Sequence, residues 1–433
     1  GPWVPAGGLR RGNLSADARL SQQAGVWQGA GQAHVERGSL RYRAAGHAEQ
    51  NLPLHDAQAA FQLDGTNLRA TLSASLAEWI RVQGTLAAGL DAQAPLRGEL
   101  RADLADIRWL EEFVPDLAGS EGSARLKAML RGAREAPVLD GELRLLSGSL
   151  LLPRFGTRLT ALEVTASGAP DSRLALRGQA QVGAGSLTMT GEFIPRASGG
   201  PRAELKLRGA QLAVVRLPDI EADAAPDIDI SLAPQGLDLA GRVSWSRVQI
   251  HLPSLPERAV ATSPDEVVID GAQGARDVLP PAPWFVAKLA ADVDFTLGDE
   301  VSLSAAGLDA RLTGAVHWRK PRGEAPGRGH GGFNIVDGHY QAYGQDLKIQ
   351  RGALIFDGAI DNPTLEVRAI RADLDVTAGV RVTGTMRVPK FALFAEPSLP
   401  DAEVLAYLVT GHALANASPG AAGVIARAAL RLG

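Results

Sequence analysis

The 433 residues carry 44 Lys and Arg against 48 Asp and Glu, a net charge of −4, and no cysteine. That balance argues against nucleic acid as a partner, and the lack of thiols excludes a disulfide scaffold and thiolate metal sites. Hydrophobic residues make up 45% of the chain but aromatics only 5%, with 49 Gly and 26 Pro, which suits many short strands joined by tight turns.

The length allows two or three domains or one extended repeat-like body. The chain starts at Gly1 in strand-and-turn text, without an initiating Met or a signal sequence, and is expected to be an internal piece of a longer protein. No run of eighteen apolar residues exists, so no membrane-spanning helix is expected. Residues 1–253 read as strand-rich. A short helix is expected over 104–115, where Leu104, Ile107, Leu110 and Phe113 take helical spacing before Pro115. Lone glycines such as Gly132, Gly141, Gly148, Gly178 and Gly191 read as turns about every ten to fourteen residues. That spacing predicts roughly twenty-five to thirty strands. Between them, Leu174 and Leu176, Leu205 and Leu207, Ile228 to Leu232, and Leu237 and Leu239 alternate with polar residues.

Residues 254–284, with Pro256, Pro264, Pro280, Pro281 and Pro283, are expected to be a mobile loop, and so is 319–332. Over 289–297, Leu289, Ala291, Val293, Phe295 and Leu297 take one face, with Asp292, Asp294 and Thr296 on the other. Over 380–388, Val380, Val382, Met386 and Val388 oppose Arg381, Thr383, Thr385 and Arg387. Period two means one dry and one wet face per strand, the antiparallel signature. The phase changes at Ala369–Ile370, which predicts a bulge or bend. A helix is expected over 400–410: Pro400 suits its first position, Asp401 and Glu403 its positive end, Leu405 and Leu408 one side, and Gly411 its stop. A further helix is expected over 421–432.

Reactive groupings are scarce. Gly327, Gly329 and Gly332 satisfy G-x-G-x-x-G, but no strand-to-helix context surrounds them, so a flexible loop is the better reading. There is no phosphate-binding G-x-x-x-x-G-K and no G-x-S-x-G elbow. His34, His47, His55, His251, His317, His330, His339 and His412 show no known metal spacing, although His330 and His339 flank an expected hairpin. The pairs Asp292–Asp294 and Asp227–Asp229 read as wet strand faces. Tyr340 and Tyr343 read as edge packing, with a carbohydrate or peptide platform as the sharper alternative. Arg381 and Arg387 read as a solvated face, with phosphate headgroups as the alternative. No catalytic residue, metal site or cofactor is expected, and the chain reads as a non-enzyme.

The most distinctive stretch is 338–371, where Gly338, Gly344, Gly352, Gly358 and Asn362-Pro363 are expected to punctuate short strands. It opens as G-x-Y-x-A-Y-G-Q (Gly338, Tyr340, Ala342, Tyr343, Gly344, Gln345). It continues as L-x-I-x-x-G (Leu347, Ile349, Gly352), F-x-G (Phe356, Gly358), N-P-x-L (Asn362, Pro363, Leu365) and A-x-R (Ala369, Arg371). G-V-x-V-x-G-T follows over Gly379 to Thr385, and P-S-L-P-D-A-E-V-L-A-Y-L-V-T-G closes the series over Pro397 to Gly411. In this order the segments resemble the C-terminal domain of the TamB family, related to AsmA-like lipid-transfer proteins, with weaker likeness at 140–155 and 253–268. The resemblance implies an all-β fold, an elongated, curled antiparallel or mixed sheet forming a U-shaped groove with an apolar lining, and a few short helices near the C-terminus. It divides the chain into a β-groove segment (1–253), the loop (254–284), a C-terminal β-groove core (285–398) and short helices (399–433). It also implies a periplasmic protein anchored in the inner membrane by an N-terminal segment absent here, with further strands beyond Gly433.

A dry face on every strand must be buried somewhere, because large exposed apolar patches are rare in soluble proteins. The sheet could fold on itself, close into barrels, or curl into a trough. Periodicity does not choose among these; the resemblance implies the trough. Transferring two acyl chains of about fifteen methylenes each into water costs on the order of 20–25 kcal/mol, and an apolar lining would remove that barrier. About thirty strands at about 4.8 Å each would reach roughly 140 Å if continuous. The first expectation is therefore a periplasmic conduit carrying phospholipids between inner and outer membranes. Its lining is assigned by alternation to Leu289, Val293, Phe295, Leu297, Leu347, Ile349, Leu365, Val367, Val380, Val382, Met386 and Val388. The alternative is an assembly factor for outer-membrane β-barrels and autotransporters, offering strand edges to nascent outer-membrane proteins. The resemblance implies the outer-membrane barrel partner TamA, with Pro400, Leu405 and Leu408 as docking candidates. A polysaccharide-cleaving β-helix enzyme would need an Asp, Arg and Lys cluster that the sequence does not show.

Overall fold

The structure, a computed structural model, describes residues 8–42, 50–252 and 288–413 apart from 92, 113–116, 134–135, 169–172, 196, 198, 306, 325, 343–344 and 372–375. The loop expected over 254–284, the helix over 421–432, and Tyr343 and Gly344 lie outside the described residues. The rest is strand nearly throughout, as expected. The first twelve strands are β1 (Gly8–Gln23), β2 (Val26–Tyr42), β3 (Gln50–Asp64), β4 (Asn67–Leu76), β5 (Ile80–Gly89), β6 (Leu96–Leu104), β7 (Ala118–Ala133), β8 (Ala136–Leu152), β9 (Thr157–Gly168), β10 (Leu174–Val182), β11 (Gly185–Ile194) and β12 (Arg202–Ala210). They are followed by β13 (Leu212–Leu217), β14 (Ile220–Ala233), β15 (Gly236–Leu252), β16 (Leu289–Ala305), β17 (Leu308–Lys320), β18 (Arg328–Ala342), β19 (Gln345–Ala359), β20 (Thr364–Arg371), β21 (Thr377–Thr385) and β22 (Val388–Glu396). Among the described residues one α-helix, α1 (Asp401–Thr410), follows them. All 22 strands belong to one mixed sheet.

The chain divides into two compact units. The first comprises Gly1–Arg154, Arg158–Gly183 and Leu187–Leu205; the second comprises Phe155–Thr157, Ala184–Ser186 and Lys206–Gly433. In the first, β1 to β8 form an antiparallel meander. Its first turn is Ala24–Gly25, with both residues at positive φ (51° and 81°), the conformation that matches the twist of a two-residue hairpin. In the second unit, β13 to β15 and β16 to β22 are antiparallel, but β15 and β16 run parallel. A parallel pair needs a long connection, and the chain between Leu252 and Leu289 supplies it.

Several glycines read from sequence as turns lie inside strands instead. Gly132, Gly141, Gly148, Gly178, Gly191, Gly338, Gly352 and Gly358 are all strand residues, so individual strands reach 17 residues. At Gly338 and Gly352 the reason is packing. A Cβ on Gly352 would stand 2.6 Å from Ile335 Cδ1, and one on Gly338 would stand 2.9 Å from Ile349 Cδ1. Glycine here leaves room for a neighbouring strand's side chain. Asn362-Pro363 does mark a turn, between β19 and β20.

The loop expected over 319–332 is shorter. β17 runs to Lys320 and β18 starts at Arg328, so Gly329 and Gly332 are strand residues. Gly329 pairs with Trp318, whose indole donates to the Pro326 carbonyl at 3.2 Å. Around 104–115, Leu104 ends β6 and a five-residue 3-10 turn, Arg108–Glu112, follows. The Asp106 carboxylate accepts the Arg108 N–H at 2.8 Å, and Ile107 is fully buried. The phase change near Ala369 coincides with a bulge on the neighbouring strand: Ile349 pairs with Ala369 and Arg351 with Arg368, leaving Gln350 as the extra residue.

Candidate functional site: the apolar faces of the two units

Strand register turns alternation into a surface. In the first unit, pairing links Ala16, Ala33, Ala59, Leu72, Gly84, Leu100, Ala128 and Gly141 across eight strands. The adjacent row links Ala18, Gly31, Phe61, Ala70, Leu86, Gly98, Leu130 and Leu139. Every position in both rows is apolar or glycine. Large residues stand beside small ones: Phe61 between Gly31 and Ala70, Leu86 between Ala70 and Gly98. The row between them on the opposite face includes Asp17, Gln32, Thr71, Thr85 and Glu99.

This apolar face stays open. Leu14 is 60% exposed and Leu72 44%, and the face floors a cavity of about 670 Å³ lined by Phe61, Leu72, Leu86, Leu100 and Leu130. Isolated exposed leucines are ordinary; a contiguous apolar floor is not.

The second unit has the same device. Leu297, Gly314, Phe333, Leu354 and Leu365 form one row from β16 to β20. Ile349, Ala369, Val380 and Leu393 form another from β19 to β22. A cavity of about 450 Å³ opens over this face, lined by Ile335, Leu347, Ile349, Val367, Val380 and Val382 among others. α1 lies on the same face. Val404 and Leu408 join Leu347, Ile349, Ala369 and Ala378 in a buried cluster.

The helix is fastened at both ends. Pro400, itself exposed, accepts the Glu403 and Val404 N–H groups at 2.9 and 3.0 Å. Asp401 and Glu403 lie in the positively polarised first turn. At the other end Gly411 takes φ 85° and its N–H reaches the Tyr407 carbonyl. Arg371, from the end of β20, donates to the Tyr407 and Leu408 carbonyls at 3.1 and 2.9 Å. Burial lowers its pKa, yet an arginine stays charged near neutrality and so complements the helix C-terminus. Arg371→Gln is expected to destabilise the second unit by about 1–2 kcal/mol, read as a lower urea midpoint; an unchanged midpoint would remove this anchor from the account.

The residues assigned from sequence divide as follows. Leu347, Ile349, Val367, Val380 and Val382 line the second unit's cavity, and Leu405 and Leu408 line it from the helix side, both buried. Leu289, Val293, Phe295 and Leu297 lie on the apolar face of β16, where Val293 is buried with Ile228 and Ala291 against Trp318. Leu365 is half-buried opposite Leu354. Met386 and Val388 stand 49% and 64% exposed at the β21–β22 hairpin, and neither lines the cavity. Sequence reading missed Leu308, Ile335, Ala369 and Phe391, and the whole floor of the first unit. The signal for that floor was alternation in which alanine and glycine count as apolar.

The polar candidates pair among themselves. Asp227 receives Arg208 at 3.0 Å and Arg242 at 3.3 Å; the Arg242 hydrogen bond, with Arg208, holds its carboxyl below the usual range. His317 Nδ1 lies 2.8 Å from Asp294, and its Nε2 lies 3.5 Å from Asp292. His330 and His339 do not meet: the first faces Asp357 and the second Asp346. Tyr340 pairs with Leu347 at the edge of the cavity. Arg381 and Arg387 do not act together, because Arg387 is tied to Asp361 and Asn362. Among the described residues, no group of three or more His, Cys, Asp or Glu could hold a metal ion, and no helix is long and apolar enough to cross a membrane.

These features define a class: a many-stranded β-sheet protein whose units carry open, register-matched apolar faces. The family model described as the TamB C-terminal domain matches residues 172–433, and the chain belongs to the TamB family. The translocation and assembly module subunit TamB of Haemophilus influenzae (strain ATCC 51907 / DSM 11121 / KW20 / Rd) is 29% identical over 356 residues, covering 78% of this chain. The match covers 27% of that relative's length.

Proposed function

We infer that this chain is a non-enzymatic lipid conduit, its apolar faces carrying the acyl chains of phospholipids through the periplasm between inner and outer membranes. One observation carries the reading: in the first unit every register position of two adjacent rows, across eight strands, is apolar or glycine, and the face stays exposed over a cavity. A face needed only for folding would be covered by its own chain. A face that receives acyl chains must stay open, and it offsets roughly 0.8 kcal/mol for each methylene kept out of water. Rows of Leu, Ala and Gly offer no hydrogen bond to hold a headgroup in place, which favours sliding over tight capture. Family membership and the name of the Haemophilus relative, a translocation and assembly module subunit, support a role in that module, as part of an inner-membrane-anchored protein with TamA as its outer-membrane partner.

The test is native mass spectrometry of the purified chain. Bound phospholipid is the expected result. A lipid-free chain that takes up none from vesicles would contradict the conduit.

A second reading, assembly of outer-membrane proteins by strand addition, is favoured by the edge at β22. Among the described residues β22 pairs only with β21, and an edge unpaired among them could template a strand. The chain contains no cysteine, so cysteines introduced singly along β22 report pairing cleanly. Disulfides to TamA or a nascent barrel strand in one consistent register are expected under this reading, and their absence would count against it.

A further inference from the structure

The face of β19 to β21 opposite the cavity bears three arginines in register. Arg351 pairs with Arg368, and Arg368 pairs with Arg381, on three consecutive strands. Adjacent strands lie about 4.8 Å apart, and like charges placed directly opposite one another destabilise a sheet. The bulge at Gln350 creates this row: without the extra residue, Arg351 would fall in the phase of the cavity-facing side chains.

The charge is not balanced locally. Glu396 accepts from Arg368 at 2.5 Å, and Glu366 shares the face. Lys348 and Lys390 add to the positive side, and the bordering carboxylates Asp337 and Asp346 are taken up by Arg311 and His339. Arg351 and Arg381 form no ion pair among the described residues. Arg368 Nε is buried without a hydrogen-bond partner.

The patch is also organised. Phe394 lies beneath the row, with Arg368 Cζ 4.2 Å and Arg381 Cζ 5.7 Å from its ring centroid. Arg381, held over the ring and without an ion pair, keeps its outward N–H groups free for an anion, whereas Arg368 already gives one Nη to Glu396 and would share its guanidinium with the anion. Beside Arg381 the next position in the row is Ala392, exposed and too small to fill the space.

We propose that Arg351, Arg368 and Arg381 form a binding site for a phosphate-type oxyanion on the sheet face opposite the groove. A carboxylate presents two oxygens, which two guanidinium groups satisfy. A phosphate group has oxygens enough for three, and arginine forks match it bidentately. The anion has two sources, free phosphate or a phospholipid headgroup presented by a membrane surface.

The experiment uses the chain as it stands, at matched ionic strength. Isothermal titration with inorganic phosphate is expected to show binding that Arg351→Gln and Arg381→Gln each weaken about tenfold, equivalent to about 1.4 kcal/mol, and that the double variant abolishes. Phosphate is expected to raise the melting temperature of the wild-type chain and not of the double variant. Relief of like-charge repulsion predicts that these variants fold at least as stably as wild type, and Arg351→Lys, which keeps the charge but loses the fork, is expected to fall between. Flotation with phosphatidylglycerol vesicles against phosphatidylcholine vesicles separates the sources: selectivity lost in the double variant assigns the headgroup, and unchanged flotation alongside lost phosphate binding assigns the free ion. No phosphate binding by wild type, or equal binding by the double variant, overturns the proposal.

Discussion

Leu72→Glu combined with Leu100→Glu is expected to lower the phospholipid retained by the purified chain about a hundredfold while leaving its folding nearly intact. The two leucines flank Gly84 in one register row, and both stand within van der Waals reach of it: a Cβ there would lie 3.4 Å from Leu100 Cδ1 and 3.7 Å from Leu72 Cβ. Both are already part-exposed, at 44% and 37%, so carboxylates at these positions keep their water on the open face. An acyl chain laid across them would strip that water, and an unpaired carboxylate loses several kcal/mol on desolvation. About 2.7 kcal/mol suffices for a hundredfold loss. Thr71→Glu with Gln83→Glu, on the other face of β4 and the neighbouring β5, adds equal charge and is expected to leave retention unchanged. Lipid-to-protein ratio after gel filtration reads the difference. Equal retention in both double variants would mean the apolar rows do not carry the lipid.

The second large effect falls on the helix. Val404 is 1% exposed, seated among Leu347, Ile349, Ala369, Ala378 and Leu408. Val404→Asp places a carboxylate there with no cation in the cluster, and is expected to destabilise the second unit by about 3–5 kcal/mol. Val404→Ala removes two methyl groups and is expected to cost about 2 kcal/mol. Since the chain has two compact units, a single transition is not assured. Urea unfolding is best followed by limited proteolysis resolved to fragments from the second unit. Unaltered protection in Val404→Asp would show that α1 is not seated on the sheet in solution.

Which parts of this architecture the sequence displays follows from what alternation can encode. The faces of 291–297 and 380–382 are legible because apolar residues alternate with polar or charged ones without interruption. The helix at 401–410 is legible because its cap residues sit at both ends. Pairing is not written in one strand. Met386 continues the even phase of β21, yet Thr385 already pairs with Val388, so Met386 and Arg387 form the turn and the face is lost there. Glycine carries two meanings: Ala24–Gly25 turns the chain, whereas Gly352 stays in its strand to admit Ile335. The first unit's floor is hidden because most of its two rows is alanine and glycine, residues that a scan for bulky side chains passes over. The arginine row was least legible, because Arg351, Arg368 and Arg381 become neighbours only through two pairings and a bulge.

Site-specific photocrosslinking tests the central claim most directly. Benzoylphenylalanine would be placed at Leu72, Leu100 and Val382, on the apolar faces, and at Thr71, Gln83 and Thr383, on the polar ones, in cells of a Gram-negative host. The account predicts phospholipid adducts at the first three positions and none at the second three. Adducts at neither set, or equally at both, would contradict it.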